Sequence, residues 1–256
     1  MVGDIRHIIV IQSLSDKEKK TGKILYDDII KRHIDYLQSE NLKMTREFHE
    51  VLDKKSFVEI LHFYGINSQY MNGGIVIHLE MHGSEDKDGL ILSDNSFISW
   101  EEIVDLLRII NINTKNNLYI TMATCFGRYM FKGVSDKKKS PYSGYISASK
   151  KVIVDEILDD FTMIYETLIA NGNLVHSYLE LDKKGSNFFY MDSETTFEKN
   201  FEAFKNNPNF RKQVLDSANE TVKNNFGEIV DGEMSNYIYD AGLKQIYLQQ
   251  KQNFLF

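Results

Sequence analysis

Hydrophobic positions along this chain come in two rhythms, short unbroken runs and three-to-four-residue repeats, and the two alternate. Ile8-Ile9-Val10-Ile11 is a run inside a strand predicted over His7–Leu14, and Leu25, Ile29, Ile30, Ile34 and Leu37 then repeat as one face of a helix. A weaker strand is predicted over Leu42–Val51, followed by a helix carrying Phe57, Leu61 and Tyr64. Asn72-Gly73-Gly74 turns the chain into a strand over Ile75–Met81, which ends in His82-Gly83. Gly89–Leu92 and Phe97–Ser99, separated by a polar turn, read as a small hairpin. Ser99 is placed to cap the next helix, with Glu102 completing a capping box and Ile103, Leu106, Leu107 and Ile110 on one face.

Leu118–Ala123 is the next apolar run and leads into Thr124-Cys125-Phe126-Gly127, where a helix is expected to begin. A polar, lysine-rich loop, Ser135–Pro141, precedes a strand predicted over Tyr145–Ile153. The strongest helical repeat follows: Ile157, Phe161, Ile164, Tyr165 and Leu168, stopping at Asn171-Gly172-Asn173 and resuming through Val175, Tyr178 and Leu179. Beyond about residue 190 the pattern is purely helical, through Phe197, Phe201 and Phe204, then Phe210, Val214, Ala218 and Val222. Alternating strands and helices predict an α/β fold with a mainly parallel sheet and helices on its faces. The expected organisation is a core domain over residues 1–190 and a helical extension over 191–256 packed on it.

Composition narrows the function classes. The 256 residues carry a net charge of −7, against general affinity for nucleic acid or anionic membrane. No apolar run approaches the roughly 20 residues of a membrane span, and the first residues lack the layout of a signal peptide. One cysteine permits no internal disulfide, so the expected setting is the reducing cytoplasm. Two prolines with abundant Lys, Asn and Ile suit an AT-rich bacterial genome. Neither Gly-x-x-x-x-Gly-Lys nor Gly-x-Gly-x-x-Gly occurs, and no cofactor is expected.

That cysteine, Cys125, is the main chemical signal. A lone cysteine is commonly a small buried hydrophobe, but this one lies just past an apolar strand, where active sites of parallel sheets gather. His82 ends an earlier strand, so parallel pairing brings thiol and imidazole to one sheet edge. Gly83 offers an unobstructed amide for an oxyanion, together with the amide of Cys125. In this scheme Cys125 attacks an acyl carbon, and His82 protonates the leaving amine and then activates water.

The segment His78-Leu79-Glu80-Met81-His82-Gly83, the hairpin at Gly89, and the strand ending Ala123-Thr124-Cys125-Phe126-Gly127 together resemble the caspase-like cysteine peptidases. The likeness is closest to the CHAT branch, which is related to separases, gingipains and caspases. That branch commonly has a further histidine four residues before the catalytic one, as His78 is here. The strand and long helix over Tyr145–Gly172 resemble the end of that domain, so the resemblance spans roughly residues 5–182. It implies an αβα sandwich and a protein-cleaving dyad of His82 and Cys125, 43 positions apart, with Gly83 as an oxyanion donor. It also implies a protein substrate, latency until an activating protein partner binds, and a place in bacterial cell death or antiphage defence. Thr124 and Phe126 depart from the residues flanking the cysteine in caspases proper, against strict aspartate specificity.

A basic residue before the cleaved bond would need a carboxylate in the pocket, for which Asp155 is the candidate. Lys137-Lys138-Lys139 marks an exposed loop that is the candidate site of self-processing. Two other function classes compete. One is an inactive caspase-like adaptor docking through its C-terminal helices. The other is a metal-dependent hydrolase using His78, Glu80 and His82, which share one face of a strand.

Overall fold

The computed structural model describes residues 4–37, 43–226 and 232–256. Leu42, and the side chains of Leu37, Ala218 and Val222, lie outside the described residues. The chain divides into two compact units, residues up to Val134 with Ser140–Ser193, and Ser135–Lys139 with Glu194–Phe256.

The first unit is built on one mixed sheet. Its strands are β1 (Ile5–Ser13), β2 (Thr45–Glu50), β3 (Gly74–Gly83), β4 (Gly89–Ile91), β5 (Phe97–Ser99), β6 (Leu118–Met122), β7 (Gly144–Ala148) and β8 (Phe188–Asp192). The main path runs β2-β1-β3-β6-β7-β8, with every neighbouring pair parallel except β7 and β8. β4 and β5 form an antiparallel hairpin attached to the end of β3. The fold is therefore α/β, with a mainly parallel central sheet flanked by helices and a helical C-terminal part.

Parallel neighbours require crossovers, and right-handed crossovers decide which face each helix covers. From β1 the chain moves outward to β2 through α1 (Thr21–Ile24), a π-helical stretch (Leu25–Lys31) and α2 (Arg32–Leu37). It then moves the other way to β3 through α3 (Lys54–Asn67), and on to β6 through α4 (Trp100–Asn113). The two directions place the residue 21–37 run and α3/α4 on opposite faces. Ile8, Val10, Val76, Tyr119 and Ile146 bury against Leu25, Ile30 and Ile34, and against Phe161, Ile164, Tyr165 and Leu168 of α5 (Val154–Asn171). The alternate residues Ile9, Ile11, Ile77, Leu79 and Ile120 are equally buried, as a sheet covered on both faces demands. Gly172 ends α5 at φ 73°, a conformation its missing Cβ permits, and α6 (Leu174–Asp182) follows.

The reversal of direction at β1 creates a switch point between β1 and β3, and crevices at the carboxyl ends of such strands are where open α/β sheets bind ligands.

Three sequence expectations are corrected. β8 is absent from the predicted elements because its short aromatic run, Phe188-Phe189-Tyr190-Met191, sits against a long helical pattern on either side. The strand expected over Tyr145–Ile153 stops at Ala148, where Ser149-Lys150-Lys151 turns polar. No α-helix starts after Cys125: Gly127–Gly133 is a 3-10 stretch entered through Phe126 in the left-handed region.

The second unit is helical, with α7 (Ser193–Lys205), α8 (Pro208–Phe226) and α9 (Gly232–Phe254). Phe197 packs its ring 5.8 Å from Phe201, 5.5 Å from Tyr247 and 5.6 Å from Phe254. Lys139, in the lysine-rich loop, donates to the Leu255 carbonyl and lies 5.1 Å over the Phe256 ring. Among the described residues, no helix is long and apolar enough to cross a membrane.

Phe161 joins α5 to the sheet, fully buried between His78 and Phe188 with ring centroids 4.8 Å away on each side. Phe161→Ala is expected to lower unfolding free energy by about 4 kcal/mol in urea titrations, the range of large aromatic deletions in packed cores.

Candidate active site

The β3–β6 ladder fixes the site. It pairs Ile75 with Leu118 and continues in step to Leu79 with Met122, and the Ala123 amide donates to the Leu79 carbonyl at 3.0 Å. Continued along the same register, His82 falls opposite Cys125. Gly83 lies against the cysteine backbone so closely that a Cβ there would be 1.7 Å from the Cys125 carbonyl oxygen. Only glycine fits. On its other side Gly83 pairs with Leu90, and the Ser84 amide donates to the Gly89 carbonyl at 3.0 Å. Antiparallel ladders alternate bonded and non-bonded pairs, so the Gly83 N–H is left out of the hairpin ladder.

Beyond Cys125, Phe126 has φ 60° and ψ 12°, a conformation costing roughly 1–2 kcal/mol for a residue with a Cβ. Cys125 sits half-buried just before this turn, three residues past the end of β6. In place of the helix expected to begin here there is a tight turn, in which the Gly127 amide donates to the Thr124 carbonyl at 3.4 Å.

His82 has a partner that the sequence reading did not include. Its Nε2 lies 2.6 Å from Oε1 of Glu18, in the loop after β1. The other Glu18 oxygen accepts from the Ser15 amide at 2.8 Å and the Ser15 hydroxyl at 2.7 Å. A carboxylate only accepts, so Nε2 carries the proton and Nδ1 is the imidazole nitrogen free to accept one. Burial pushes the Glu18 carboxyl upward, but the Ser15 bonds and the neighbouring His82 outweigh it and hold the group below its ordinary value. The signal was present as Ser15-Asp16-Lys17-Glu18, a Ser-x-x-Glu box directly after a strand.

His78 and Glu80 go elsewhere. His78 is completely buried, its Nε2 3.2 Å from Oε2 of Glu80 and its Nδ1 2.9 Å from the Thr121 hydroxyl, which meets the Tyr165 hydroxyl at 2.8 Å. The second Glu80 oxygen accepts from the Thr21 hydroxyl at the start of α1. One proton assignment uses each donor once: Tyr165 to Thr121, Thr121 to Nδ1, and Nε2–H to Glu80. Burial drives the Tyr165 hydroxyl far above its ordinary pKa, keeping it a donor. His78 and Glu80 satisfy each other in the interior while His82 turns to Glu18, and among the described residues no group of three or more His, Cys, Asp or Glu is arranged to hold a metal ion.

Cys125 and His82 open onto one cavity of about 210 Å³ at the β1/β3 switch point. Its polar lining comes from Glu18, Lys19, Thr21 and Glu80, and its apolar walls from Leu14, Met81, Ala123, Val152, Val154 and Ile157. Asp155 is absent from this lining. It stands on the first turn of α5 with its side chain 88% exposed, 3.8 Å from Lys19. Because β7 ends at Ala148, the intervening loop carries Asp155 out to the surface. Lys151 and Glu85 pair at 2.7 Å between the loops after β7 and β3, and this pair raises the Lys151 pKa, with Cys125 adding a further increment.

Two measurements probe this geometry. Gly83→Ala is expected to cost about 2 kcal/mol or more of stability by thermal unfolding, since the new methyl meets backbone rather than a yielding side chain. For Glu18, the folded pKa lies below the ordinary 4.5, so its stabilising contribution is complete above that pH and lost as pH falls through the lower folded value. The stability gap between wild type and Glu18→Gln should therefore be full at pH 6 and close as the pH falls below 4.5. Comparison with known proteins supplies no relative, for no family model matches the chain and no curated protein matches it.

Proposed function

We propose that this chain is a cysteine-type endopeptidase of the caspase-like, CHAT kind, working through Cys125 and His82. The observation that carries the reading is the one cavity that His82 and Cys125 both line, just beyond the in-step β3–β6 pairing that closes with Leu79 opposite Met122. The Glu18 bond on Nε2 supports it, because it leaves Nδ1 as the base available to the thiol.

The chemistry balances as follows. The Cys125 thiol gives its proton to Nδ1, and the sulfur attacks the peptide carbonyl carbon. The displaced electron pair rests on the carbonyl oxygen, which takes hydrogen bonds from the N–H groups of Gly83 and Cys125. Collapse breaks the C–N bond, and the leaving amine takes the proton from Nδ1. Water then gives a proton to Nδ1 and attacks the thioester, releasing the acid and returning the proton to sulfur. Glu18 is a positioning residue here, setting the tautomer and the ring orientation. On this reading the partners are a protein substrate and an activating protein. The setting is the cytoplasm expected from the single cysteine, and the resemblance implies a place in bacterial cell death or antiphage defence.

The test is alkylation by iodoacetamide, which reports on Cys125 alone because the chain has one thiol. At pH 6.5 wild type is expected to react about tenfold or more faster than free glutathione. His82→Ala should abolish that advantage, and Glu18→Gln should reduce it. A rate equal to that of an ordinary thiol and indifferent to His82 would overturn the reading.

A further inference from the structure

We infer that the cavity beside Cys125 is a receptor for a basic side chain, and that the residue before the cleaved bond is arginine or lysine, with Glu80 as its carboxylate. As a statement about cleavage this rests on the peptidase reading; as a statement about binding it does not.

The size of the cavity and its gradient of charge select the occupant. At about 210 Å³ the cavity is smaller than the roughly 300–1,000 Å³ of a whole small-molecule site, and suits one long side chain. Its charges are ordered by depth. Glu80 is 2% exposed, and Thr21, which donates to it, is equally buried. Glu18 lies further out, and Lys19 is half-exposed at the rim, facing Asp155. The apolar part of the lining includes Leu14, Met81, Val152 and Ile157. A sleeve of apolar wall ending in a carboxylate matches the anatomy of arginine or lysine, an aliphatic stem with a charged head.

The floor has capacity left. A carboxylate offers about four acceptor positions, and Glu80 commits two, one to Thr21 and one to His78. The remaining lone pairs can accept from an ammonium or guanidinium. An aspartate side chain entering the same sleeve would meet Glu18 and Glu80 without a donor aimed at it from the floor, since the Thr21 hydroxyl and the His78 N–H are already given to Glu80. A leucine would fill the walls and leave the floor unanswered. Lys19 and His82 are the other charged or titratable groups lining the cavity besides Cys125. Lys19 stands at the rim and His82 is engaged by Glu18, so the deep end is acidic.

The experiment reads binding without requiring turnover. The full chain is alkylated with iodoacetamide in the presence of N-acetyl-arginine amide, N-acetyl-lysine amide, N-acetyl-leucine amide or N-acetyl-aspartate amide at equal millimolar concentrations. The two basic amides are expected to slow labelling of Cys125 by about fivefold, as for a ligand present at about four times its Kd. The leucine amide should slow it by less than about twofold and the aspartate amide not at all. Glu80→Gln should erase the preference for the basic amides, with protection in each protein read as a ratio to its own labelling rate without ligand. Equal protection by leucine, protection by aspartate, absence of protection by the basic amides, or a Glu80→Gln protein that keeps the full preference would each overturn the inference. If Glu80→Gln does not fold, the four-amide comparison on wild type still decides. Slow, His82-independent labelling that is nonetheless protected selectively by the basic amides would defeat the peptidase reading and keep the pocket.

Discussion

The hydrogen bond between His78 and Thr121 is the interaction on which the site depends. β3 and β6 are apolar on both faces along much of their length, so burial alone would tolerate a sliding of one strand against the other. A one-residue slip turns every side chain to the opposite face. His78 and Thr121 are register partners, and their side chains meet at 2.9 Å in a fully buried place where neither could be left unpaired without cost. Their bond makes one register better than its neighbours. Four and five residues further on, that same register, extended, sets His82 opposite Cys125 and lays Gly83 against the cysteine backbone.

The floor of the cavity follows from the same constraint. Glu80 shares a strand face with His78, so fixing His78 brings the carboxylate into the interior, where it needs donors. His78 supplies one and Thr21 the other. Thr21 in turn fixes where α1 begins, and Gly22 lets that helix approach, since a Cβ there would already sit 3.0 Å from the Glu80 Cβ and from Oε1 of Gln12. The polar interior and the placement of a helix are thus one problem with one solution. Val76, Tyr119 and Phe161 enclose it in apolar surface, which strengthens each bond by keeping water away.

Much of the fold was legible because its signals are local. The run Ile8–Ile11, the Ser99/Glu102 capping box and the repeat from Ile157 to Leu168 each identify an element without reference to any other. His82 and Cys125 were legible because strand ends in a parallel sheet converge. Glu18 was harder: it lies in a polar stretch that looks like surface, and only the Ser15 box hinted at a held carboxylate. The link from Thr21 to Glu80 was invisible, since it depends on where a helix crosses a strand 59 positions away. Asp155 misled for the opposite reason. It is close in sequence to a predicted strand end, but the real end comes at Ala148 and the carboxylate faces solvent. β8 was lost because five residues of aromatic strand carry too little pattern between two helices.

The network from Tyr165 through Thr121 and His78 to Glu80 and Thr21 has a consequence for how this protein can change. Each member is satisfied by the next, so replacing any one strands its neighbour in a dry interior. The effects of substitutions within such a set do not add. Its descendants could therefore alter the cavity walls one residue at a time, through Leu14, Val152 or Ile157. The polarity of the floor would change only through several coordinated replacements. Along such lineages wall shape should drift while floor chemistry stays frozen, a division of mutability set by hydrogen bonding and not by distance from the thiol.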